Sequence, residues 1–289
     1  MMHLPWLPPA EIVRVEGRGE VFARHHRHPD PGAPTVVLLH GWTASADLQF
    51  FTAYEELARS VSFVAVDHRG HGRGLRTLDR FRLEDAADDA FFAAQELGVD
   101  RAIVVGYSMG GPIALNLARR HPGFVAGLVV QATALEWRAT WSERLTWQWL
   151  PMLGALLRSW AYPRYLRRSL PRLIPAGHPL ERSLPWLESE IQRGNPHAIV
   201  QAGRALSNYD ARPWADSLGV PAAMLVTTRD RLVKPRKQRA LAAALGAEVH
   251  HLDGDHLCPW ELPDQFSSAT MSLVESVAGR VEERSASAS

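Results

Sequence analysis

The segment Gly106-Tyr107-Ser108-Met109-Gly110 fits the pattern G-x-S-x-G and stands between a strand-like run at 102–105 and a helical pattern at 108–120. In that context the motif turns the chain sharply from strand to helix. Its two glycines leave room for a strained backbone, and the serine hydroxyl is pushed clear of the sheet edge. The helix N-terminus beneath the serine also favours developing negative charge. We therefore predict that Ser108 is a nucleophile.

Strand-like and helical segments alternate on both sides of this motif. Four runs of β-branched and apolar residues are typical of strands buried on both faces: 35–39, 61–66, 102–105 and 125–130. Helical patterns at 48–59, 83–97 and 108–120 separate them, and this rhythm predicts parallel strands with helices on both faces of the sheet. Two alternating segments at 11–15 and 20–24, with Gly17-Arg18-Gly19 between them, predict an opening β-hairpin.

The rhythm stops between residues 135 and 210, a segment that holds six of the ten tryptophans and no strand-like run. Helix-forming residues broken by prolines predict several short helices there. Strand-like runs resume at 221–226 and 248–252, followed by a helix at 262–277 and a frayed tail at 282–289. We predict a core α/β domain formed by residues 1–134 and 211–289, with a helical cap at 135–210 inserted after the sixth strand.

Composition and charge exclude several classes of protein. Of the 289 residues, 46% are hydrophobic, and 32 basic against 31 acidic residues give a net charge of +1, which removes the electrostatic argument for a nucleic-acid binder. The single cysteine, Cys258, excludes an internal disulfide and fits a reducing compartment. The N-terminus lacks the apolar core of an export signal, and no apolar tract is long enough to cross a bilayer. We expect a cytoplasmic protein without stable membrane insertion, and the oligomeric state stays open.

A nucleophilic serine needs a base, and the base needs a carboxylate to orient it. Behind a G-x-S-x-G turn in an α/β sheet, the acid comes next along the chain and the histidine last. Asp230 lies just past the run at 221–226, and His256 lies just past the run at 248–252. Both follow the carboxyl ends of strands, where open α/β sheets place their ligands. The sequence therefore predicts that Ser108, Asp230 and His256 form a catalytic triad.

Several other residues compete for these roles. Asp253, Asp255 and Glu136 are alternatives for the acid, because each lies near the end of a predicted strand. The clustered histidines 25, 26 and 28 are spaced like metal ligands, but adjacent strand residues point to opposite faces. We favour a solvated loop for them and expect no metal site. Cys258 is interpreted as a packing thiol, because a serine already fills the nucleophile's role.

With these residues in place, the chain resembles the α/β-hydrolase superfamily, in its Ser-His-Asp esterase and lipase-like branch with a helical cap. The resemblance covers nearly all of the chain outside the cap. It rests on blocks in the family's order: His40-Gly41-Trp42, the residues 67–74, the motif at 106–111, Asp230 with Pro235, and His256 with Glu261-Leu262-Pro263. It implies an eight-stranded, mostly parallel sheet, and an oxyanion hole formed by the backbone N–H groups of Trp42 and Met109. His40 is expected to brace that loop.

The predicted chemistry is that of a serine-dependent hydrolase that cleaves an ester-type bond through an acyl-enzyme, with no cofactor. The tryptophans and leucines of the cap favour a small to medium apolar substrate. The same residues would also serve a C–C bond, lactone or thioester hydrolase, an acyltransferase, or a perhydrolase or haloperoxidase. A slow-turnover ligand sensor is an alternative from a different class. Dehalogenase and epoxide hydrolase activities are disfavoured, because the relatives that catalyse them carry Asp where Ser108 stands.

Overall fold

Eight strands form one sheet in the computed structural model, which describes residues 4–288. Along the chain they are β1 (Ala10–Val15), β2 (Gly19–His26), β3 (Thr35–Leu39), β4 (Ser62–Val66), β5 (Ala102–Tyr107), β6 (Val125–Gln131), β7 (Ala222–Thr227) and β8 (Glu248–Leu252). Their order in the sheet is β1-β2-β4-β3-β5-β6-β7-β8. β2 pairs antiparallel with β1 and β4, and the other neighbouring pairs are parallel. The predicted mostly parallel, eight-stranded sheet is confirmed.

Helices cover both faces of the sheet, because buried side chains alternate between the faces along each strand. In β3, Val36 and Leu38 pack into the core on one face, and Val37 and Leu39 pack into the core on the other. The first face is covered by α1 (Ala46–Phe50), α2 (Tyr54–Ala58), α11 (Cys258–Glu261) and α12 (Pro263–Ala288). The opposite face is covered by α3 (Leu83–Glu96), α4 (Gly110–Arg120) and α10 (Pro235–Leu245).

Five further helices lie between β6 and β7 in the described chain. They are α5 (Trp141–Trp147), α6 (Leu150–Arg158), α7 (Tyr162–Leu173), α8 (Leu184–Ile191) and α9 (Pro196–Ser207), hereafter the cap helices. Two short 3₁₀ helices, Glu181–Ser183 and Ala215–Ser217, complete the stretch between the strands. Glu136 and Asp210, at the two ends of the predicted cap, form an isolated antiparallel β-bridge. The division of the chain into core and cap domains stays a prediction.

Ion pairs fasten the cap helices to the residues around the sheet. On α10, the Lys237 ammonium lies 2.9 Å from a carboxylate oxygen of Glu136 and 2.7 Å from one of Glu143 on α5. On α8, the buried Glu190 carboxylate lies 2.5 Å from the guanidinium of Arg73, which belongs to the loop after β4. These side chains are largely withdrawn from water, where opposite charges attract more strongly than they do on an exposed surface. These contacts therefore hold α5 and α8 in place.

The three largest departures from the predicted bounds concern the helix at 48–59, β2 and the last helix. The predicted helix at 48–59 consists of two short helices, α1 and α2. β2 continues past residue 24 to His26, because its last residues pair with β4. α12 continues through the predicted frayed tail to Ala288, where Arg284 donates a hydrogen bond of 2.7 Å to the Gly219 carbonyl. Residue 289 lies outside the described residues.

Candidate active site

Ser108 occupies the turn between β5 and α4. Its backbone has a φ of +51°, in the left-handed region that side chains other than glycine rarely adopt. The flanking glycines make the turn possible, because β5 and α4 meet without room for a side chain. A Cβ on Gly106 would lie 2.3 Å from the Gly110 carbonyl oxygen, and one on Gly110 would lie 2.0 Å from the Leu39 carbonyl oxygen. The predicted strand-turn-helix context of the motif is thus present.

The structure brings the three predicted triad residues together. The Ser108 Oγ lies 3.0 Å from Nε2 of His256, and Nδ1 of His256 lies 2.8 Å from Oδ2 of Asp230. When Nδ1 donates its proton to the carboxylate, Nε2 is left to accept the hydrogen bond of the serine hydroxyl. The Asp230 side chain is fully buried, and the His256 side chain is 13% exposed. This arrangement can draw a proton from the serine toward the imidazole.

Five donors surround the Asp230 carboxylate. Oδ1 accepts from the backbone N–H groups of Leu232 and Val233, at 2.9 and 2.8 Å. Oδ2 accepts from the Thr227 hydroxyl at 2.8 Å and the Gln238 amide at 3.1 Å, in addition to the histidine. An ionised carboxylate only accepts hydrogen bonds, so these donors suit the charged form. They also fix the carboxylate where it can orient the imidazole.

The alternative acids contact other partners. Asp255 pairs with Arg231 at 2.9 Å and accepts the backbone N–H of His256, not the ring. Asp253 pairs with Arg229 at 3.1 Å. Glu136 is engaged by Lys237, as described above. Among the described residues, Asp230 is therefore the carboxylate within hydrogen-bonding distance of the His256 ring.

The two predicted oxyanion donors lie on the loops that flank Ser108. The loop after β3 approaches the serine so closely that a Cβ on Gly41 would lie 3.3 Å from the Ser108 Cβ. Within residues 4–288, the backbone N–H groups of Trp42 and Met109 have no acceptor. Unpaired N–H groups beside a nucleophile can stabilise an oxyanion. The indole N–H of Trp42 is engaged elsewhere and donates to the Ile199 carbonyl on α9 at 2.7 Å.

Backbone strain is concentrated at this edge of the sheet. Within the described chain, the non-glycine residues with positive φ are Thr43 (+65°), Ser108 (+51°) and Ala132 (+47°). They follow β3, β5 and β6, three strands that are adjacent in the sheet. Strained residues of this kind cluster at functional sites, where the surrounding structure holds them. The strain marks the carboxyl ends of these strands as the candidate active site.

Three buried histidines support the loop that carries Trp42. His40 Nδ1 lies 2.8 Å from the Gly41 carbonyl oxygen, and its Nε2 accepts the backbone N–H of His68 at 3.0 Å. His71 packs near the His40 ring, with centroids 5.6 Å apart. Burial lowers the pKa of His68 to about 3 and that of His71 to about 4, and burial beside these neighbours also lowers the pKa of His40. The rings are therefore neutral supports, in line with the expected bracing role of His40.

Sequence reasoning did not identify two residues that support the triad. Gln238 donates to Asp230 and to the Val233 carbonyl and accepts the Thr227 N–H, so it holds the acid's loop together. The Tyr107 hydroxyl donates to the His256 carbonyl at 2.9 Å and fixes the loop that carries the base. The x position of a G-x-S-x-G motif and a glutamine in a helix give no sequence signal for such contacts.

The remaining candidates contact backbone or lie buried. His26 and His28 approach the carbonyl oxygens of residues 58 and 59 at 3.1 and 3.2 Å. His25 and His26 belong to β2 and are half-buried, so the expected solvated loop is wrong for them. No group of three or more His, Cys, Asp or Glu side chains suited to a metal ion occurs among residues 4–288. Burial raises the pKa of the Cys258 thiol to about 12, which supports a packing role.

Comparisons with known proteins point in one direction. A family profile described as alpha/beta hydrolase fold matches residues 34–263. The chain is 32% identical over 215 residues to the pimeloyl-[acyl-carrier protein] methyl ester esterase of Chromobacterium violaceum, a match that covers 73% of this chain and 82% of that protein. It is 30% identical over 239 residues to the AB hydrolase superfamily protein YisY of Bacillus subtilis, covering 76% and 81%. The solved enol-lactonase from Burkholderia xenovorans LB400 has a TM-score of 0.74 at 23% identity, covering 92% and 100%.

Proposed function

Because this chain belongs to the α/β-hydrolase family and is a hydrolase, we propose that it hydrolyses a carboxylic ester-type bond through an acyl-enzyme on Ser108. The observation that carries the proposal is the continuous hydrogen-bonded path from Ser108 Oγ through His256 to Asp230, with distances of 3.0 and 2.8 Å. That path supplies a nucleophile, a base and an orienting carboxylate in the required sequence of contacts.

In the acylation step, His256 Nε2 takes the proton of Ser108 as Oγ attacks the carbonyl carbon of the ester. Asp230 holds the imidazole in the tautomer that leaves Nε2 free and stabilises the imidazolium once it forms. The tetrahedral oxyanion accepts hydrogen bonds from the backbone N–H groups of Trp42 and Met109. Each donor of this kind stabilises the transition state by about 3 kcal/mol. The N-terminus of α4 adds a favourable dipole.

The imidazolium then protonates the leaving alkoxide, and the C–O bond of the ester breaks. Water enters, His256 takes one of its protons, and the resulting hydroxide attacks the acyl-enzyme carbonyl. Collapse of the second tetrahedral intermediate returns the proton to Ser108 Oγ and releases the carboxylic acid. No residue beyond the triad and the two backbone donors is needed.

Aromatic and aliphatic side chains around Trp42, the proposed oxyanion donor, support an apolar substrate of small to medium size. Trp147 of α5 lies 5.6 Å from Trp42, centroid to centroid. Leu150 of α6 and Trp42 both lie against Gly203 of α9, since a Cβ added to this glycine would contact both side chains. An apolar environment beside the oxyanion donor suits an acyl or aromatic group. The relative named as a methyl ester esterase supports an ester as the bond that is cleaved.

The proposal is tested by steady-state hydrolysis of p-nitrophenyl butyrate with three variants. Ser108→Ala is expected to lower kcat/KM by at least about 10⁴-fold. Asp230→Asn should lower kcat by roughly 10³- to 10⁴-fold, because the imidazole then favours the wrong tautomer. Asp253→Asn, a change at an exposed alternative acid, is the matched control and should retain activity.

Labelling with a fluorophosphonate separates loss of chemistry from loss of fold. The wild type and Asp253→Asn should be labelled, and Ser108→Ala should not be, while all three give the same circular dichroism spectrum. Undiminished turnover or labelling in Ser108→Ala would refute the assignment of the nucleophile.

A further inference from the structure

An exposed row of large apolar side chains runs along α5 and α6. The two helices are separated only by Gln148 and Trp149, whose backbones are near-helical. The row, hereafter the apolar stripe, consists of Trp141, Leu145, Trp149, Met152, Leu156 and Trp160. Its first five members follow one another at intervals of three or four residues along the two helices, the spacing that places helical side chains on one face, and Trp160 follows just past the end of α6. Trp141, Trp149 and Trp160 are 76%, 58% and 79% exposed.

The stripe is a second apolar face, because these helices already bury another one. Leu150 is buried, and Gly154 packs against Val200 of α9. Trp147, also on the inner side, contacts the Trp42 ring. Large contiguous apolar patches are rare on the surface of a protein that works alone in water and mark interaction sites. The outward face of α5 and α6 therefore has the character of an interaction surface.

The charge around the stripe is one-sided. Residues 141–180, which include the whole stripe, contain six arginines and one acidic residue, Glu143, whose carboxylate is paired with Lys237, although the net charge of the whole chain is only +1. Of these six arginines, only Arg167 has a carboxylate within 4 Å among the described residues, that of Glu188. The Arg164 guanidinium lies 4.8 Å from the centre of the Trp160 ring. A cationic side chain thus lies directly against the exposed indole of Trp160.

We propose that the apolar stripe docks on the surface of an anionic lipid bilayer. Exposed tryptophans and leucines on helices flanked by arginines are the combination that binds at the boundary between headgroups and acyl chains. The arginines, mainly those of α7, would contact anionic headgroups. None of the described helices has the length and apolar character needed to cross a membrane, so the stripe lies on the bilayer.

A second copy of the chain fits this face less well. In a two-fold symmetric dimer the same patch lies on both partners, and here that would place two arginine-rich surfaces against each other. Like charges in that arrangement oppose association. An anionic bilayer satisfies the apolar stripe and the positive charge together.

The test is co-sedimentation of the full-length protein with vesicles. Vesicles of phosphatidylcholine and phosphatidylglycerol in equal parts should bind the protein, and vesicles of phosphatidylcholine alone should bind it at least tenfold more weakly. Tryptophan emission should shift to shorter wavelength on binding, as exposed indoles leave water. Raising the salt concentration from about 0.1 to 1 M should weaken binding, because it screens the arginines.

Two double variants and two matched controls locate the surface. Trp141→Ser with Trp149→Ser, and Arg164→Glu with Arg168→Glu, should each weaken binding at least tenfold, with unchanged circular dichroism. Leu78→Ser, at a fully exposed apolar residue elsewhere, and Arg14→Glu with Arg101→Glu, at exposed arginines elsewhere, should bind as the wild type does.

Failure of the wild type to bind the anionic vesicles at low salt overturns the proposal. So does binding that the tryptophan and arginine variants leave intact. Concentration-dependent self-association, or capture of an acidic protein, that requires the stripe while vesicles do not bind would assign this face to a protein partner and overturn it as well. Hydrolysis of p-nitrophenyl butyrate is measured separately, so none of these outcomes depends on the proposed function.

Discussion

Thr43 pairs an exposed side chain with a strained backbone, next to the proposed oxyanion donor Trp42. A branched side chain is especially unfavourable at a φ of +65°. Since the side chain packs against little, the strain has no compensation from burial. The loop around it is held by the Trp42 indole, which donates a hydrogen bond to α9, and by His40, whose ring contacts the Gly41 carbonyl. The residue therefore offers a direct test of whether strain here serves activity.

We expect Thr43→Gly to raise the free energy of unfolding by roughly 0.5–1 kcal/mol. Relief of the left-handed conformation contributes about 1–2 kcal/mol, and the more flexible unfolded chain offsets about 0.5–1 kcal/mol. At the same time kcat for p-nitrophenyl butyrate should fall severalfold, because a glycine loosens the loop that aims the Trp42 N–H. Urea denaturation and steady-state kinetics measure both effects. Thr43→Ala, which keeps most of the strain, is the control, and equal stability of the two variants would contradict the argument.

At the level of single residues, the sequence predicted which side chains form the candidate triad, but not which side chains hold the triad in place. Ser108, Asp230 and His256 could be identified because each lies just past the carboxyl end of a strand, and parallel strands bring those ends to one edge. Gln238 and Tyr107 could not, because their roles depend on side-chain contacts across the fold that no local pattern specifies. The positive φ of Thr43 could not be predicted from sequence either, because threonine is not a residue that favours this conformation.

At the scale of elements, the contact between α9 and the Trp42 loop couples the cap helices to the site. Trp42 donates to α9 through its indole and lies over Gly203 of the same helix. A Cβ on Gly203 would lie 2.6 Å from a Trp42 ring carbon and 2.7 Å from a methyl carbon of Leu150. Only a residue without a side chain allows the indole and α6 to approach α9 this closely.

Gly203→Ala should lower both stability and activity, although alanine is the better helix former by about 1 kcal/mol. Overpacking of this kind costs roughly 1–3 kcal/mol, and displacement of the Trp42 ring should reduce kcat/KM. Gly279→Ala is the matched control, because Gly279 lies in α12 with nothing near its added Cβ, and it should stabilise the protein. Thermal denaturation and steady-state kinetics give the comparison. If both substitutions raised the melting temperature by the same amount, the close packing at Gly203 would be disproved.

The types of the elements were predictable from local sequence patterns. The ends of the elements were not, where they depend on contacts with distant parts of the chain. The alternation of strands and helices follows from periodic burial, so the sheet could be predicted from sequence. The end of β2 at His26 depends on its pairing with β4, which is distant along the chain. The length of α12 depends on a contact between Arg284 and Gly219. Tertiary contacts of this sort fix element ends without leaving a pattern in sequence.

At the scale of the whole molecule, the buried histidines make stability depend on pH. His71 has a pKa of about 4 in the folded protein, against about 6.5 in an unfolded chain. Between these values the unfolded chain binds a proton that the folded protein does not, so stability is lost as the pH falls from 6.5 to 4. His68, whose pKa burial lowers to about 3, acts in the same direction. Burial raises the pKa of Asp67 to about 7, and this carboxyl contributes a slope of opposite sign.

Comparison with a variant isolates the histidine contribution. His71→Asn should reduce the pH dependence of the free energy of unfolding by up to about 1.4 kcal/mol per pH unit between pH 4 and 6.5. The asparagine amide can still donate to the Arg69 carbonyl, which His71 Nδ1 approaches at 3.1 Å. Urea denaturation at several pH values measures the slope. His251→Asn, at an exposed histidine, should retain the wild-type slope, and the same slope in His71→Asn would contradict the assignment.

The β-bridge between Glu136 and Asp210 has an evolutionary consequence. Between the end of β6 and the start of β7, the two ends of the inserted stretch are joined by this bridge, so a change of length inside the stretch need not displace either flanking strand. On the proposed function, changes inside this stretch can alter substrate selectivity while the triad residues outside it stay the same, provided that the contact of α9 with Trp42 is kept. Related proteins can in this way act on different substrates with the same catalytic residues.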